Sequence, residues 1–311
     1  IFDFLKKYFS VLQVWAIGVV AMAAGFYLMS QAGGVYGLFL YAALFGFGFG
    51  PVSIGQNLLV FENVAQDLRR QIFSGLHSMY GLASLAAPVL AAHFMREKME
   101  WREAFQISAL APVVLFLLAF ALVFKKQSRD QQVTAEVNPH VFQHHRLLAW
   151  IWALVNAFYL FAEVSISSRL VLYLHRHREM SLVDATQYLT GFFAALWIGR
   201  VLFTICHFRK VTTAQILVVA MVSSIICLSA GFLFHPVWLA IAGFTLAPIF
   251  PFMMEALVQQ FGKHCQKPMS FVVGFGSLAI VLMHVLVGVI SSQWSLQTAL
   301  WIGPLGLGLS L

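Results

Sequence analysis

Charge is what this sequence has least of. Asp, Glu, Lys and Arg make up 10% of its 311 residues, whereas a soluble domain carries about 25%. That shortage excludes a water-solvated globule, because too few charged side chains exist to cover one. Acids are scarcer than bases, 12 Asp and Glu against 19 Lys and Arg. Cysteine occurs three times, at Cys206, Cys227 and Cys265, scattered and without metal-ligand spacing. No phosphate-binding loop is present, and Gly46-x-Gly48-x-Gly50 has the wrong spacing for the dinucleotide fingerprint. An ATP-driven pump is therefore not expected. An embedded enzyme would concentrate several His, Asp or Glu side chains on one face of neighbouring helices. Here they are spread one or two to an apolar run. The sequence therefore calls for no cofactor, metal or enzymatic activity.

What it has instead is hydrocarbon. The sequence is 60% hydrophobic, with 30 Phe and 22 Gly, and its mean hydropathy is +0.83. Apolar runs fall at 9–30, 36–61, 72–95, 105–124, 147–174, 185–206, 213–234, 236–261, 269–291 and 297–311. A bilayer-crossing helix needs about 20 residues, so about ten spans are expected, the last one short. The chain opens on IFDFLKKYFS and stops at GLGLSL within an apolar run. The expectation is that helices precede Ile1 and that the final span is incomplete.

The net charge of +7 indicates orientation rather than nucleic acid. One set of loops, at Lys6/Lys7, Arg69/Arg70, 125–146, Arg209/Lys210 and 263–267, holds 12 Lys and Arg. The opposite set holds five, at Arg96, Lys98, Arg102, Arg176 and Arg178. Cytoplasmic loops carry the excess of positive charge, so the richer set faces the cytoplasm, and a plasma (inner) membrane location is expected. The stretch 125–146 is the longest polar segment and reads as a cytoplasmic linker. His140, His144 and His145 within it lack acidic co-ligands for a metal.

A faint internal repeat divides the chain. Gly46, Phe47 and Pro51 recur 197 residues later as Gly243, Phe244 and Pro248, and Tyr80-Gly81 recurs 195 residues later as Phe275-Gly276. Two similar halves in parallel orientation are a transporter architecture, with solute held at the repeat interface. The expected division is 1–124, an N-terminal helical bundle; 125–146, the linker; and 147–311, a C-terminal bundle.

Polar residues inside the apolar runs mark the candidate site. Trp150–Leu174 is long enough to span, yet it contains Asn156, Glu163 and Arg169. A charge at membrane depth costs at least about 2.5–3.5 kcal/mol, so it normally faces a partner or a wet cavity. Asn156, Tyr159, Glu163 and Ser167 fall at 0, +3, +7 and +11 and share one helix face. That face reads as lining a solute path. Glu163 is the candidate proton carrier, because removal from water disfavours the charged form of a carboxyl. The other reading is a Glu held by a structural partner. Arg169 lies six residues on, about 9 Å along the axis and well round the helix, so it is not expected to pair with Glu163. It should extend to the outer surface or a neighbouring helix, as long basic side chains do.

Other candidates follow the same logic. Ser53, Gln56 and Asn57 offer donors and acceptors suited to a hydroxyl-rich solute, or serve as interhelical glue. His77, Tyr80, Ser84 and Pro88 repeat the 0, +3, +7, +11 spacing. His77 could bind solute, sense protons or bond a neighbouring helix. Trp197 is a candidate for stacking on a sugar ring. Arg200 reads as a structural or gating group, with Glu255 as its expected partner. Glu62 and Asp67 read as loop-side groups near Arg69 and Arg70.

These residues carry a resemblance. LFGFGFGPVSIGQNLLVFEN, GLHSMYGLASLAAPVL, YLFAEVSISSRLVLYL, WIGRVLFTICHFRK and GFTLAPIFPFMMEAL resemble the fourth, fifth, seventh, eighth and tenth helices of the major facilitator superfamily. Within it the chain is most similar to fucose/glucose–galactose permease-like sugar transporters. Asp3 and Lys6 resemble the end of that family's loop between its second and third helices. The resemblance implies an all-α membrane protein, a major-facilitator-type bundle of two pseudo-symmetric halves with about ten of twelve helices present. It implies a monomeric secondary transporter in the lipid bilayer that moves a small polar solute, most simply a sugar, with a proton. Arg169 departs from the pattern, which has an uncharged or aromatic residue there. A drug or metabolite exporter of the same superfamily is the alternative, and a membrane-embedded enzyme or receptor a more distant one. For the linker, a cysteine placed at Ser128 is expected to react with a membrane-impermeant maleimide only from the cytoplasmic side. Reaction only from outside would invert the topology.

Overall fold

A computed structural model describes residues 2–124, 146–206 and 211–311 of the chain. The expected linker lies outside the described residues, except Arg146, which opens a helix. Arg209 and Lys210 also lie outside. Regular structure among the described residues is helical: α1 Phe2–Leu5, α2 Val11–Ser30, α3 Val35–Asn63, α4 Arg69–Arg96, α5 Trp101–Phe124, α6 Arg146–His177, α7 Leu182–Ile205, α8 Thr213–Leu233, α9 Val237–Leu246, α10 Ile249–Phe261, α11 Gln266–Gln293, α12 Leu296–Leu300 and α13 Ile302–Ser310. Eight stretches are long and apolar enough to cross a membrane, counting Val237–Phe261 as one. Their outward faces are apolar. On α11, Leu278, Val281, Leu282, Val285, Leu286 and Val289 are all exposed, a helical stripe that water would penalise and hydrocarbon tails accept.

The chain packs as two compact units. One gathers Ile1–Asn63 with Pro88–Asn138, and the other gathers Val64–Ala87 with Pro139–Leu311. The first turns of α4 therefore pack with the C-terminal helices.

In the first unit, Ser10 and Gln13 form a reciprocal capping box that starts α2. α2 packs against α3 and α5 through Trp15, Ala16 and Val19, which meet Val52, Leu59, Phe116 and Ala119. Glycine sets the closeness of the α2–α3 pair. A Cβ at Gly25 would stand 2.7 Å from the backbone nitrogen of Phe45, and one at Gly18 2.7 Å from the carbonyl oxygen of Gly48. Small residues allow such approach where lipid supplies no hydrophobic drive between helices. Lys6 pairs with Glu62 at 3.2 Å, and Arg102 donates to the Ala32 carbonyl at 3.0 Å.

In the second unit, α6 is the central post. Its 32 residues make a rod about 48 Å long that packs against α7, α11 and α13. Phe161 and Val164 meet Met283, Val287 and Ala299. The run expected as one span over 236–261 is broken at Ala247-Pro248, because proline supplies no N–H to continue the ladder. The last run divides likewise at Trp301. Arg178 closes the end of α8, donating to the Phe232 carbonyl at 2.6 Å and, through Nε, to the Tyr173 hydroxyl at 3.2 Å.

Gly25→Ala is expected to destabilise the first unit by about 1–3 kcal/mol, since the added methyl meets backbone that has no room to yield. Thermal unfolding in detergent measures this, and an unchanged midpoint would refute the close crossing.

Candidate functional site

Glu163 sits midway along α6 and is 4% exposed. Its charge is met by Arg200 of α7, which is 3% exposed, with Nη2 3.2 Å from Oε2. Tyr159, one turn before Glu163, donates its hydroxyl to the same carboxylate oxygen. The other arm of the guanidinium, Nη1, donates to the backbone carbonyl of His77 on α4 at 3.0 Å. The Arg200 carbonyl in turn accepts the Ser74 hydroxyl at 2.6 Å. The guanidinium carbon stands 5.3 Å from the Tyr80 ring centroid, within cation–π range. Arg200 thus ties α4, α6 and α7 at one level.

The local sequence makes this possible. Ser74, Gly75, Ser78 and Gly81 put small residues on the face of α4 that meets α7. A Cβ at Gly81 would lie 3.1 Å from the Trp197 Cα, so glycine there lets the backbones close enough for a serine hydroxyl to reach across. The His77 ring packs edge-on against Phe250 of α10 with centroids 4.6 Å apart, and Phe250 also approaches Tyr159 at 6.1 Å.

A second charged cluster lies at the start of α4. Arg70 Nε donates to Glu255 Oε2 of α10 at 2.9 Å, and its Nη2 donates to the Thr213 hydroxyl at 3.0 Å. Gln259 donates to the other carboxylate oxygen at 2.8 Å. Phe252 lies under the guanidinium, 5.3 Å from it. A cavity of about 130 Å³ adjoins this cluster, lined by Gln66, Arg69, Glu255 and Gln259. Ligand pockets run to about 300–1,000 Å³, so this one suits a latch rather than a solute.

The sequence reading paired Arg200 with Glu255. The structure instead pairs Arg200 with Glu163 and Glu255 with Arg70. Arg70, read from the sequence as a partner of nearby loop acids, was missed. Its signal was its place at the first turn of a long helix, where a side chain reaches inward as easily as outward. As expected, Arg169 does not pair with Glu163, but Glu163 is not unpaired.

The remaining candidates are placed as follows. Asn156 is 1% exposed. Its amide donates to the Val272 carbonyl at 3.0 Å, while its Oδ1 is buried without a hydrogen-bond partner among the described residues. Trp197 is half-buried, and its Nε1 also lacks a partner there. Ser84 donates back to the Tyr80 carbonyl on its own helix at 2.8 Å. Gln56 and Asn57 belong to the first unit, where Asn57 donates to the Ser53 carbonyl at 2.7 Å. Arg169 is half-buried, with Nε buried and lacking a hydrogen-bond partner among the described residues. No group of three His, Cys, Asp or Glu side chains among the described residues is placed to hold a metal.

Comparison with known proteins gives the following. A sequence model of the Major Facilitator Superfamily matches residues 4–267. Comparison with curated proteins gives no match. Among solved structures, the E. coli fucose:proton symporter FucP (N162A) aligns with a TM-score of 0.78 and 17% identity, over 99% of this chain and 84% of that one. The proton:xylose symporter XylE aligns with a TM-score of 0.72 and 13% identity, over 96% and 78%. The human organic anion transporter MFSD10 aligns with a TM-score of 0.68 and 13% identity, over 97% and 82%. At these identities the likeness is one of fold.

Removing one member of a buried ion pair strands the other, at about 3–5 kcal/mol. Arg200→Met and Glu163→Gln are each expected to destabilise the protein. The double variant is expected to lose less than the two single losses combined. A double-mutant cycle on thermal unfolding measures the coupling, and simple additivity would mean that the pair does not interact.

Proposed function

The chain belongs to the Major Facilitator Superfamily, and from that premise we propose that it is a secondary transporter that moves a small polar solute by alternating access, driven by protons. The observation that carries the reading is the Glu163–Arg200 pair, buried mid-span and bonded to three helices at once. Such intramembrane pairs are expensive and mark ion pathways. A proton arriving at Glu163 removes the charge that holds Arg200. Arg200 then shifts its hold on the His77 carbonyl, and with it the contact of α4 with α7. Proton uptake is thereby converted into a change of helix packing.

The latch at Arg70 and Glu255 belongs to the same cycle. It fastens the first turn of α4 to α8 and α10 at the end that the charge asymmetry assigns to the cytoplasm. Opening toward the cytoplasm requires these bonds to break, so the latch favours the state closed on that side. Asn156, Tyr159, His77 and Trp197 are proposed as the solute's hydrogen-bonding and stacking partners, with Ser84 contributing from α4. The unused Oδ1 of Asn156 and Nε1 of Trp197 supply one acceptor and one donor. The sugar class and the proton rest on the fold shared with two sugar:proton symporters. The protein is read as a monomer in the plasma (inner) membrane. An enzymatic role has no support from this family and fold.

Glu163→Gln in the full-length protein, reconstituted in proteoliposomes, is expected to abolish accumulation of labelled sugar against its gradient while sparing solute exchange. Accumulation with unchanged pH dependence would assign Glu163 a structural role instead.

A further inference from the structure

Two of the cations within the second unit are matched by acids: Arg200 by Glu163, and Arg70 by Glu255. Arg169 is not. No carboxylate among the described residues lies within ion-pair distance of it, and its buried Nε donates to nothing there. It does not escape by facing lipid. Ser165 one turn before it, Ile166, and Tyr173 one turn after it are all 0% exposed. Arg169 thus stands on a packed flank of α6, half-buried and still reachable.

The neighbouring helix adds a second donor. α6 and α11 run side by side in the same direction, with Asn156 against Val272 and, further on, Phe161 and Val164 against Met283 and Val287. His284 is on that stretch of α11, next to the Met283 that packs against α6, and is half-buried. Arg178, beyond that end of α6, is occupied with the Phe232 carbonyl and the Tyr173 hydroxyl. The place therefore gathers a guanidinium and an imidazole with no acid among the described residues within ion-pair distance. A cation at membrane depth is costly, and one that lacks a protein partner marks a substrate or ion pathway by default. A guanidinium is suited to one with two oxygens in a plane or three about a phosphorus.

We propose that Arg169, supported by His284, binds the anionic group of the transported solute, a carboxylate or phosphate carried on a sugar-like body. This rests on the transport reading above and narrows it from a neutral sugar to a sugar acid or sugar phosphate. Glu163 cannot fill that role, since it is an acid already held by Arg200. The solute's anion would neutralise Arg169 on arrival and leave it charged on departure, so the occupied and empty states differ by one compensated charge.

The test is equilibrium binding to the full-length protein in vesicles of phosphatidylcholine alone, which removes anionic headgroups as a rival source of the same chemistry. The probes are labelled D-glucuronate, D-glucose 6-phosphate and D-glucose. One of the two anions is expected to bind at least about tenfold more tightly than D-glucose, as a charge-assisted bidentate contact allows. The better of the two identifies the group. Arg169→Gln should collapse the ratio of anion to neutral affinity toward one, and Arg169→Lys should restore part of it. The melting temperature of each variant reports whether it has folded. Anions that bind no better than D-glucose overturn the inference, as does an undiminished ratio in folded Arg169→Gln. So does a stabilisation by phosphatidylglycerol that vanishes in Arg169→Gln without any preference for anionic sugars, which would assign Arg169 to lipid. Uptake of D-glucose without anion preference overturns this inference alone. Absence of uptake of all three probes overturns the transport reading with it.

Discussion

A charge removed from water must find its opposite, and in hydrocarbon it must find it at contact distance. The pairing of Glu163 with Arg200 is where the second unit meets that requirement. Glu163 is fixed at the middle of α6 by the register of a long apolar helix, so its partner has to come from elsewhere. Arg200 reaches it from α7, whose contacts with α9 and α4 are made close by glycine. Gly199 faces Ala247, with 2.6 Å between a hypothetical Cβ and the alanine methyl, and Gly81 faces Trp197. Larger residues at either point would push α7 away from α9 or from α4 and shift the backbone that carries Arg200. The small-residue faces and the ion pair are therefore one arrangement.

The same requirement explains how the polar groups are distributed. Serine and threonine side chains along the spans mostly donate to carbonyls one turn back on their own helices, as Ser84, Ser168 and Thr186 do. They are satisfied locally and ask nothing of their neighbours. Groups that reach across helices include Arg200 and Ser74 at mid-span, Asn156 to the Val272 carbonyl, Arg70 with Thr213 and Glu255 at one end, and Arg178 at another. Lipid supplies no apolar drive for helix association, so these crossings carry specificity that in water would be shared with burial.

Much of this was legible in the sequence, and the boundary of legibility is physical. The shared face of Asn156, Tyr159 and Glu163 could be read because helical periodicity is local, and all three are buried together. The choice of partner could not be read, because which of two arginines reaches which of two acids depends on helices far apart in the chain. Depth alone suggested Glu255 for Arg200. What decided otherwise was Arg70, whose nearness to Asp67 in sequence hid its inward reach. Asn57 shows the converse: an amide inside an apolar run that looked like a binding group bonds its own helix one turn back. The family resemblance fixed the fold more readily than the site, since a fold tolerates substitutions that a charge pair does not.

The break at Pro248 has a mechanical consequence. Neither Pro248 nor Pro251 has an N–H, and the Phe244 carbonyl is served instead by a 3.3 Å bond from Ala247, so the rod loses bending stiffness at one place. Above it, α9 is clamped to α7, with Gly243 against the Phe192 backbone. Below it, α10 carries Phe250 in its first turn and Glu255 more than a turn further on. A force applied at Glu255 is then resolved as a torque about a soft joint rather than as sliding of the whole span. The lower segment behaves as a lever whose short arm bears on His77 and Tyr159 through one phenyl ring.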